Sequence, residues 1–289
     1  MKVSRKFNWL SSFNNLNRSK IAILEEQLAS FYATNPDYYG NIDFTAANWV
    51  DQQEKGYQDI LETSKKSKKI CELGCGNANI LFHFPELEPI YTGCDFSPEL
   101  INRNKKKFPR AEFKVITTPN ELPFENEQFD FVFSVFVIEH STNPAALLDE
   151  SRRILQQNGR LIILCPDFLG RGRFSSQRSG FSKGTTSDKI KRRKYLDALV
   201  TLFDNRVRVP IYCLMLKSII IRRKRFLINI TPTVFTDIFT PDVDAVYLTY
   251  KWEMIKFLNP HFSIIQNNKD IKFYTAEKKL IYLKASKNI

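Results

Sequence analysis

The chain has 289 residues, 43% of them hydrophobic and 26% charged. That balance is long enough and apolar enough to bury a core, and it excludes both a disordered chain and a polytopic membrane protein. The formal net charge of +12 is concentrated: residues 169–230 hold 16 Lys and Arg against 3 Asp and Glu, and the rest of the chain holds 27 against 28. A localized excess points to a polyanionic partner or an anionic membrane surface. The five cysteines, Cys71, Cys75, Cys94, Cys165 and Cys213, are odd in number and lie in mostly apolar, strand-like surroundings. They are expected to be buried free thiols of a reducing cytoplasm. Cys71 and Cys75 lack a second pair or histidines at ligand spacing, so no metal site is expected. Residues 1–20 contain Lys2, Arg5 and Lys6 but no apolar run of signal-peptide length, so export is not indicated and a cytoplasmic location is expected.

In chain order, apolar Ile21, Leu24, Leu28 and Phe31 recur at helical spacing, predicting a helix over 19–32. A second helix is expected over 48–63, with a turn-like aromatic run at 35–41 between them. From residue 69 the pattern alternates strand and helix: strands at 69–73, 90–94, 112–116, 129–134 and 160–165, with helices at 77–84, 98–108 and 143–156. Ser97, Pro98 and Glu99 supply a cap, a first-turn proline and a first-turn acid for the helix at 98–108. Such alternation predicts an α/β fold with a parallel sheet. Regularity is lost from about 167 to 247. It returns with a helix at 249–258, a strand at 262–266 and β-like runs at 271–274 and 279–284.

The most informative segment is Glu72-Leu73-Gly74-Cys75-Gly76-Asn77-Ala78-Asn79, a strand that ends in a glycine turn and restarts as a helix. Glycine lets backbone N–H groups and a helix start approach a ligand closely. A nicotinamide-type dinucleotide fingerprint requires glycine at the sixth position, here Asn79. The acid two residues before Gly74 would repel a pyrophosphate, yet it can accept from an ammonium group or ribose hydroxyls. Asp95 ends the next strand, where one carboxylate can accept two hydrogen bonds from a vicinal diol. Downstream come Leu122-Pro123-Phe124 with Phe129-Asp130, then Ser134-Val135-Phe136-Val137-Ile138-Glu139-His140 with Asn143-Pro144, and Asp149 to Leu155 with Asn158-Gly159.

Together these segments, spanning 69–166, resemble class I S-adenosylmethionine-dependent methyltransferases of the type 11-like family, which includes the ubiquinone and menaquinone C-methyltransferases. The resemblance implies a Rossmann-like, mostly parallel seven-stranded sheet with helices on both faces, and S-adenosylmethionine as cofactor. It implies cofactor contacts from Glu72, Gly74, Cys75, Gly76 and Asn79 in the turn. Asp95 would take the ribose hydroxyls, with Phe96 on the adenine face. Thr118 stands where the family often has an acid, so adenine would be read by its hydroxyl or by the backbone at Pro119 and Asn120. Ser134, Val135 and Phe136 would line the methionine side. Ala78 replaces a glycine often present in the family.

His140 is the first candidate for a general base, because imidazole titrates near neutrality and this loop would border the acceptor; the alternative is a packing and capping role for Glu139-His140. Asp167, after the fifth strand, is the second candidate. The expected organisation is a helical lead-in or cap over 1–64, a cofactor-binding core over 65–166 and 248–289, and a basic, helical acceptor-site insertion over 167–247. Apolar stretches alternate with basic clusters in this insertion. It reads equally as a peripheral contact with an anionic membrane through 189–225 or as a solvated lid, and less readily as a nucleic-acid surface. Asp242 and Asp244 would bond sugar hydroxyls or cap the following helix. The expected activity is methyl transfer to a small-molecule, glycan or lipid-linked acceptor. The alternatives are methylation of RNA or protein, and a regulatory protein that binds the cofactor without turnover.

Overall fold

Strand residues in the core alternate between two buried sides, and that alternation places the helices. Cys71, Leu73, Val132, Leu161 and Ile163 share one cluster with Leu24, Leu148, Met254 and Leu258, whereas Ile70, Phe131, Phe133, Ile162 and Leu164 share another with Ile60, Ile80, Leu81 and Ile101. Successive side chains of a strand point to opposite faces, so a sheet buried on both faces needs apolar residues at nearly every position. The computed structural model describes residues 18–34, 55–118, 120–172, 179–182, 184–223, 226–230, 244–267 and 280–288.

The elements in order are α1 (Arg18–Thr34), α2 (Lys55–Ser64), β1 (Ile70–Leu73), α3 (Asn79–His83), β2 (Tyr91–Asp95), α4 (Pro98–Lys107), β3 (Glu112–Val115), β4 (Phe129–Val135), α5 (Pro144–Ile154) and β5 (Leu155–Pro166). They continue as α6 (Phe168–Arg171), α7 (Thr186–Lys191), α8 (Tyr195–Phe203), a π-helical turn at Asp204–Arg208, α9 (Val209–Arg223), α10 (Lys251–Leu258), β6 (Phe262–Asn267) and β7 (Leu280–Lys287). Seven strands form one sheet in the order β3-β2-β1-β4-β5-β7-β6. The first five are mutually parallel, and β7 runs antiparallel between β5 and β6. The expected mostly parallel seven-stranded α/β sheet is therefore present, with α1, α5 and α10 on one face and α2, α3 and α4 on the other. The order reverses beside β1, the position at which open α/β sheets bind ligands beyond the strands' carboxyl ends.

The motif segments lock one another. Asp130 at the start of β4 accepts the N–H groups of Lys68 and Lys69 at 2.8 and 2.9 Å, fixing the entry to β1. The Arg153 guanidinium donates to the carbonyls of Leu122 and Phe124 at 3.0 and 2.8 Å and to both Glu150 oxygens, while Glu150 accepts the Leu122 N–H at 2.7 Å. The Leu122-Pro123-Phe124 run is thus held by the end of α5. Replacing Arg153 by Met strands two carbonyls and a carboxylate, which is expected to cost about 2–3 kcal/mol, read as a lower urea midpoint at unchanged slope.

Two boundaries differ from the sequence reading. The helix expected at 143–156 ends at Ile154, because Leu155, fully buried, pairs in extended conformation with Phe129. Tertiary pairing here outweighs the helix propensity of Gln156 and Gln157. Asn158 still makes the turn, at φ 60°. The helix expected at 77–84 starts at Asn79, since Ala78 is left-handed at φ 52°. The helix expected at 48–63 is seen as α2 from Lys55, and its earlier residues, like the 35–41 run and the 271–274 strand, lie outside the described residues. All five cysteines are free and buried.

Between β5 and α10 the chain packs a third cluster. Val209, Tyr212, Cys213, Leu216 and Ile220 form one stripe of α9, set against Phe168 and Leu169 of α6 and against Leu248 and Tyr250. The return segment pairs with residues 227–229: Asn229 donates to the Val246 carbonyl at 2.7 Å and Leu248 to that of Leu227 at 3.1 Å. Thr249, fully buried, donates its hydroxyl to the Pro166 carbonyl and accepts the Phe168 N–H, tying this return to the end of β5.

Burial raises two carboxyl groups far above the ordinary value of 4.5. Glu253, which accepts from the Tyr247 hydroxyl at 2.8 Å, and Glu72 are each pushed up to about 8. Between those values the folded chain holds protons the unfolded chain has lost, so stability falls as pH rises from 4.5 toward about 8 and levels off above it. Each group steepens the fall by up to about 1.4 kcal/mol per pH unit. Urea titrations from pH 5 to pH 8 are expected to show the decline, and Glu253→Gln is expected to make it shallower.

Candidate functional site

The glycine turn is built by the backbone. Gly74, Gly76 and Ala78 have φ of 66°, 49° and 52°, so the chain reverses hand three times within five residues. A Cβ on Gly74 would lie 2.3 Å from Val137 Cγ2, so the turn is closed down against the loop after β4. Cys75 N–H donates to the Cys94 carbonyl at 2.9 Å, and Asn104 of α4 donates to the Gly76 carbonyl at 2.7 Å. These bonds hold the turn across the ends of β1 and β2.

Two acids border it. Asp95, 8% exposed, accepts the Gly76 N–H on Oδ2 at 3.0 Å and the Ser97 N–H on Oδ1 at 2.9 Å. Its pKa is raised by burial, against which the N–H groups of Ser97, Gly76 and Phe96 work. Glu72 is 6% exposed and accepts from the Tyr91 hydroxyl. Burial pushes it up to about 8, the Tyr91 bond opposing and the Asp95 charge adding to the rise. Each carboxylate oxygen can accept more than one bond, so both acids keep acceptor capacity after these internal partners. Two adjacent acids make the turn hostile to phosphate and receptive to hydroxyl and ammonium groups, an ammonium ion beside Glu72 favouring its ionised form.

The remaining predicted residues surround this turn unevenly. Ser134, next to last in β4, is in register with Leu73. Its Oγ and the Asn79 Oδ1 are buried without a hydrogen-bond partner among the described residues. A buried polar atom left unbonded costs about 1–3 kcal/mol; Asn79 directly follows the turn in sequence, and Ser134 is in register with Leu73 directly before it. Val135 is half-buried, and Phe136 is left-handed at φ 56° with its N–H on the Leu164 carbonyl at 2.8 Å. Phe96 is 46% exposed beside Asp95. Thr118 is exposed and bridges to Glu121, and Asn120 accepts from the Asn143 side chain at 2.7 Å. Pro119 lies outside the described residues.

The two base candidates separate. Asp167 caps α6, accepting the Gly170 N–H at 2.9 Å, so its carboxylate is engaged in local structure. His140 stands on a 3-10 turn at Ile138–His140, its Nδ1 3.2 Å from Asp244 Oδ2. Asp244 therefore neither caps α10, whose N-cap is Tyr250, nor points to solvent, being 3% exposed. The carbonyl of the fully buried Glu139 accepts the N–H groups of both Val246 and Tyr247 at 2.8 Å. The Glu-His loop is thus bound to the return segment of the insertion, a contact across a hundred residues that no local pattern signals. Asp242 lies outside the described residues. A separate cavity of about 350 Å³ opens at the amino ends of the strands, lined by Asp130, Arg160 and Lys284 among others. Neither Glu72 nor Asp95 lines it.

Residues 71–163 match the family described as "Methyltransferase domain". The uncharacterized protein MJ1123 of Methanocaldococcus jannaschii is 30% identical over 129 residues, 43% of this chain and 60% of that protein. Demethylmenaquinone methyltransferase of Thermotoga maritima is 29% identical over 109 residues, 36% of this chain and 45% of the enzyme. The chain thus spans between 42% and 60% of the length of the first curated relatives it matches. Among solved structures, the PH0226 protein of Pyrococcus horikoshii is 14% identical with a TM-score of 0.49, over 89% of this chain and 95% of that one. The cofactor of this domain type is S-adenosylmethionine, and the residues present fit it: two acids for hydroxyl and ammonium groups, a close-approach glycine turn, and two buried polar atoms without partners. Residues 71–163 thus match a methyltransferase domain, carried on the parallel part of the seven-stranded sheet.

Proposed function

We propose that the chain transfers a methyl group from S-adenosylmethionine to a small-molecule, sugar or lipid-linked acceptor. The observation that carries this reading is the pair of buried carboxylates, Glu72 and Asp95, flanking a left-handed glycine turn at the ends of adjacent parallel strands. When bound, the cofactor supplies an electrophilic methyl group on a sulfonium. In this reading Asp95 holds the ribose hydroxyls and Glu72 the ammonium end. Gly74, Cys75, Gly76 and Asn79 bring backbone and one amide against the ligand, Phe96 covers the adenine, and Thr118, Pro119 and Asn120 edge it. Ser134, Val135 and Phe136 form the wall on the methionine side.

The chain's contribution is then mainly orientation, which can supply up to ~10 kcal/mol when the reacting atoms are held in line. His140 takes the acceptor proton where the acceptor must lose one, and Asp244 sets its ring by facing Nδ1. Asp167 serves structure. His140→Ala is expected to lower kcat about 100-fold while leaving cofactor affinity within about twofold; Asp244→Asn is expected to give a smaller fall in the same parameter.

Among the acceptors, the curated relatives named for demethylmenaquinone support a small apolar one. The test is transfer of labelled methyl from S-adenosylmethionine to fractionated small-molecule, glycan and lipid extracts. Label in one of these fractions, lost with Asp95→Ala, supports the reading. Label that appears only in added protein or RNA, or in no fraction although the cofactor binds, overturns it.

A further inference from the structure

Helix α8 is inside out. Its buried positions are Asp197, Ala198 and Thr201, a small and polar set, while Tyr195, Leu196, Leu199, Leu202 and Phe203 are between 45% and 71% exposed. The inversion has a local cause. Lys189 of α7 is fully buried, and its ammonium donates to the Ser179 carbonyl at 3.0 Å, Asp197 Oδ1 at 3.2 Å and Thr201 Oγ1 at 2.6 Å. Asp197 also accepts the N–H groups of Phe181 and Ser182 at 2.6 and 3.1 Å. Burial alone would raise the Asp197 pKa, but these donors outweigh it and hold the carboxyl at about 2. A polar knot therefore takes the inner face of α8, and the apolar face is left to point outward.

The outward face continues beyond α8. Val207 of the π-helical turn and Ile211, Leu214, Met215 and Ile221 of α9 are 40% to 61% exposed, opposite the stripe that α9 buries. Among the described residues, 11 of the 16 exposed large hydrophobic ones lie between 190 and 221. Isolated exposed leucines are ordinary, but a concentration of this kind marks an interaction surface.

Charge identifies the occupant. Between residues 190 and 223 the only acids are Asp197 and Asp204. Both are buried, the first on Lys189 and the second on Arg208 at 2.7 Å and the Gly180 N–H at 2.7 Å. Lys191, Arg192, Arg193, Lys194, Arg206 and Arg222 are exposed. The α8–α9 face carries cations and aliphatic groups with no exposed acid between them, and the one acid of α7, Asp188, is half-buried in a capping box with Thr185. Two copies of this face would repel each other. RNA-binding surfaces pair cations with aromatic stacking platforms, whereas this one is chiefly Leu, Ile and Val. Apolar side chains interleaved with Lys and Arg suit the boundary between anionic headgroups and acyl chains. No helix among the described residues is long and apolar enough to cross a membrane.

We propose that the α7–α8–α9 surface docks the chain onto an anionic phospholipid bilayer, with Leu196, Leu199, Leu202 and Leu214 entering the interface and the flanking cations meeting headgroups. The proposal does not depend on the methyl-transfer reading, because docking needs neither cofactor nor acceptor. The test is co-sedimentation of the full chain with vesicles of phosphatidylcholine containing phosphatidylglycerol, and with phosphatidylcholine alone. Binding is expected to the mixed vesicles, weakened at least tenfold on the neutral ones. Leu199→Glu/Leu202→Glu is expected to abolish it, and Lys191→Gln/Arg192→Gln/Lys194→Gln to lower it on the order of 100-fold. These substitutions are at exposed positions, and an unchanged thermal unfolding profile confirms that each variant is folded. Equal binding of wild type and the Leu199→Glu/Leu202→Glu variant overturns the proposal. So does a wild-type dimer in solution that ignores vesicles and becomes monomeric in that variant, or binding to RNA with none to vesicles.

Discussion

Asp95→Ala is expected to weaken S-adenosylmethionine binding about 100- to 10,000-fold. Hydrogen bonds to a charged group are worth about 1.5–3 kcal/mol each, and Asp95 would offer two to the ribose. The same carboxylate fixes the glycine turn through the Gly76 N–H at 3.0 Å and the start of α4 through the Ser97 N–H at 2.9 Å. Removing it therefore loosens the turn as well as losing ligand contacts. Asp95→Asn separates the two contributions: it keeps one acceptor but turns an N–H₂ group toward either the Gly76 N–H or the Ser97 N–H. An intermediate loss, about tenfold, is expected, with thermal stability closer to wild type than that of Asp95→Ala. Equilibrium binding and thermal unfolding measured on the same samples distinguish lost contacts from a lost fold.

Gly74→Ala is expected to be the most damaging single-methyl change in the domain. The new Cβ would meet Val137 Cγ2, Cγ1 and Cβ at 2.3, 2.7 and 3.0 Å, and the residue would keep a φ of 66°. Left-handed backbone costs a residue with a Cβ about 1–2 kcal/mol, and overpacking typically another 1–3 kcal/mol. Val137→Ala in the same chain removes the two Cγ atoms the methyl would strike hardest and leaves only the Cβ contact at 3.0 Å. The double variant is therefore expected to regain the overpacking part and to keep the conformational part, leaving it about 1–2 kcal/mol below the Val137→Ala parent. Urea midpoints give both values. Full recovery in the double variant would mean that the left-handed turn costs alanine nothing at this position.

The parallel core was legible because each strand and helix carries its own local signal. Ser97 caps α4 by accepting the Leu100 N–H at 3.3 Å, Asn143 caps α5, and both have proline at the first helical turn, as their sequences imply. The acids and glycines of the site were legible for the same reason, since spacing along β1 and β2 brings Glu72 and Asp95 beside one turn. Other features depend on distant partners. The end of α5 is set by pairing of Leu155 with Phe129, not by the Asn158-Gly159 turn three residues later. Lys189 reads as one of six consecutive residues in a basic cluster, yet it is fully buried on Asp197 and Thr201; only the fold brings those partners to it. Asp244 likewise has no local cue to His140, because the two meet only when the return segment bonds to the Glu139 carbonyl.

The outward apolar face of α8 is a further case. The hydrophobic positions of Tyr195–Phe203 would normally be taken as its core stripe, and the burial of Asp197 reverses that inference. A charged residue pair, rather than the apolar periodicity, decides which way the helix faces. Burying Lys189 and Asp197 is tolerable because each is bonded by several partners, and breaking one side would leave the other charge uncompensated.

Isothermal titration of the chain with S-adenosylhomocysteine, repeated with NAD and with the Asp95→Ala variant, tests the central assignment most directly. Saturable binding of S-adenosylhomocysteine at one site per chain, unaffected by NAD and lost in the variant, is expected. Binding of NAD with no response to S-adenosylhomocysteine, or undiminished S-adenosylhomocysteine binding by Asp95→Ala, would contradict it.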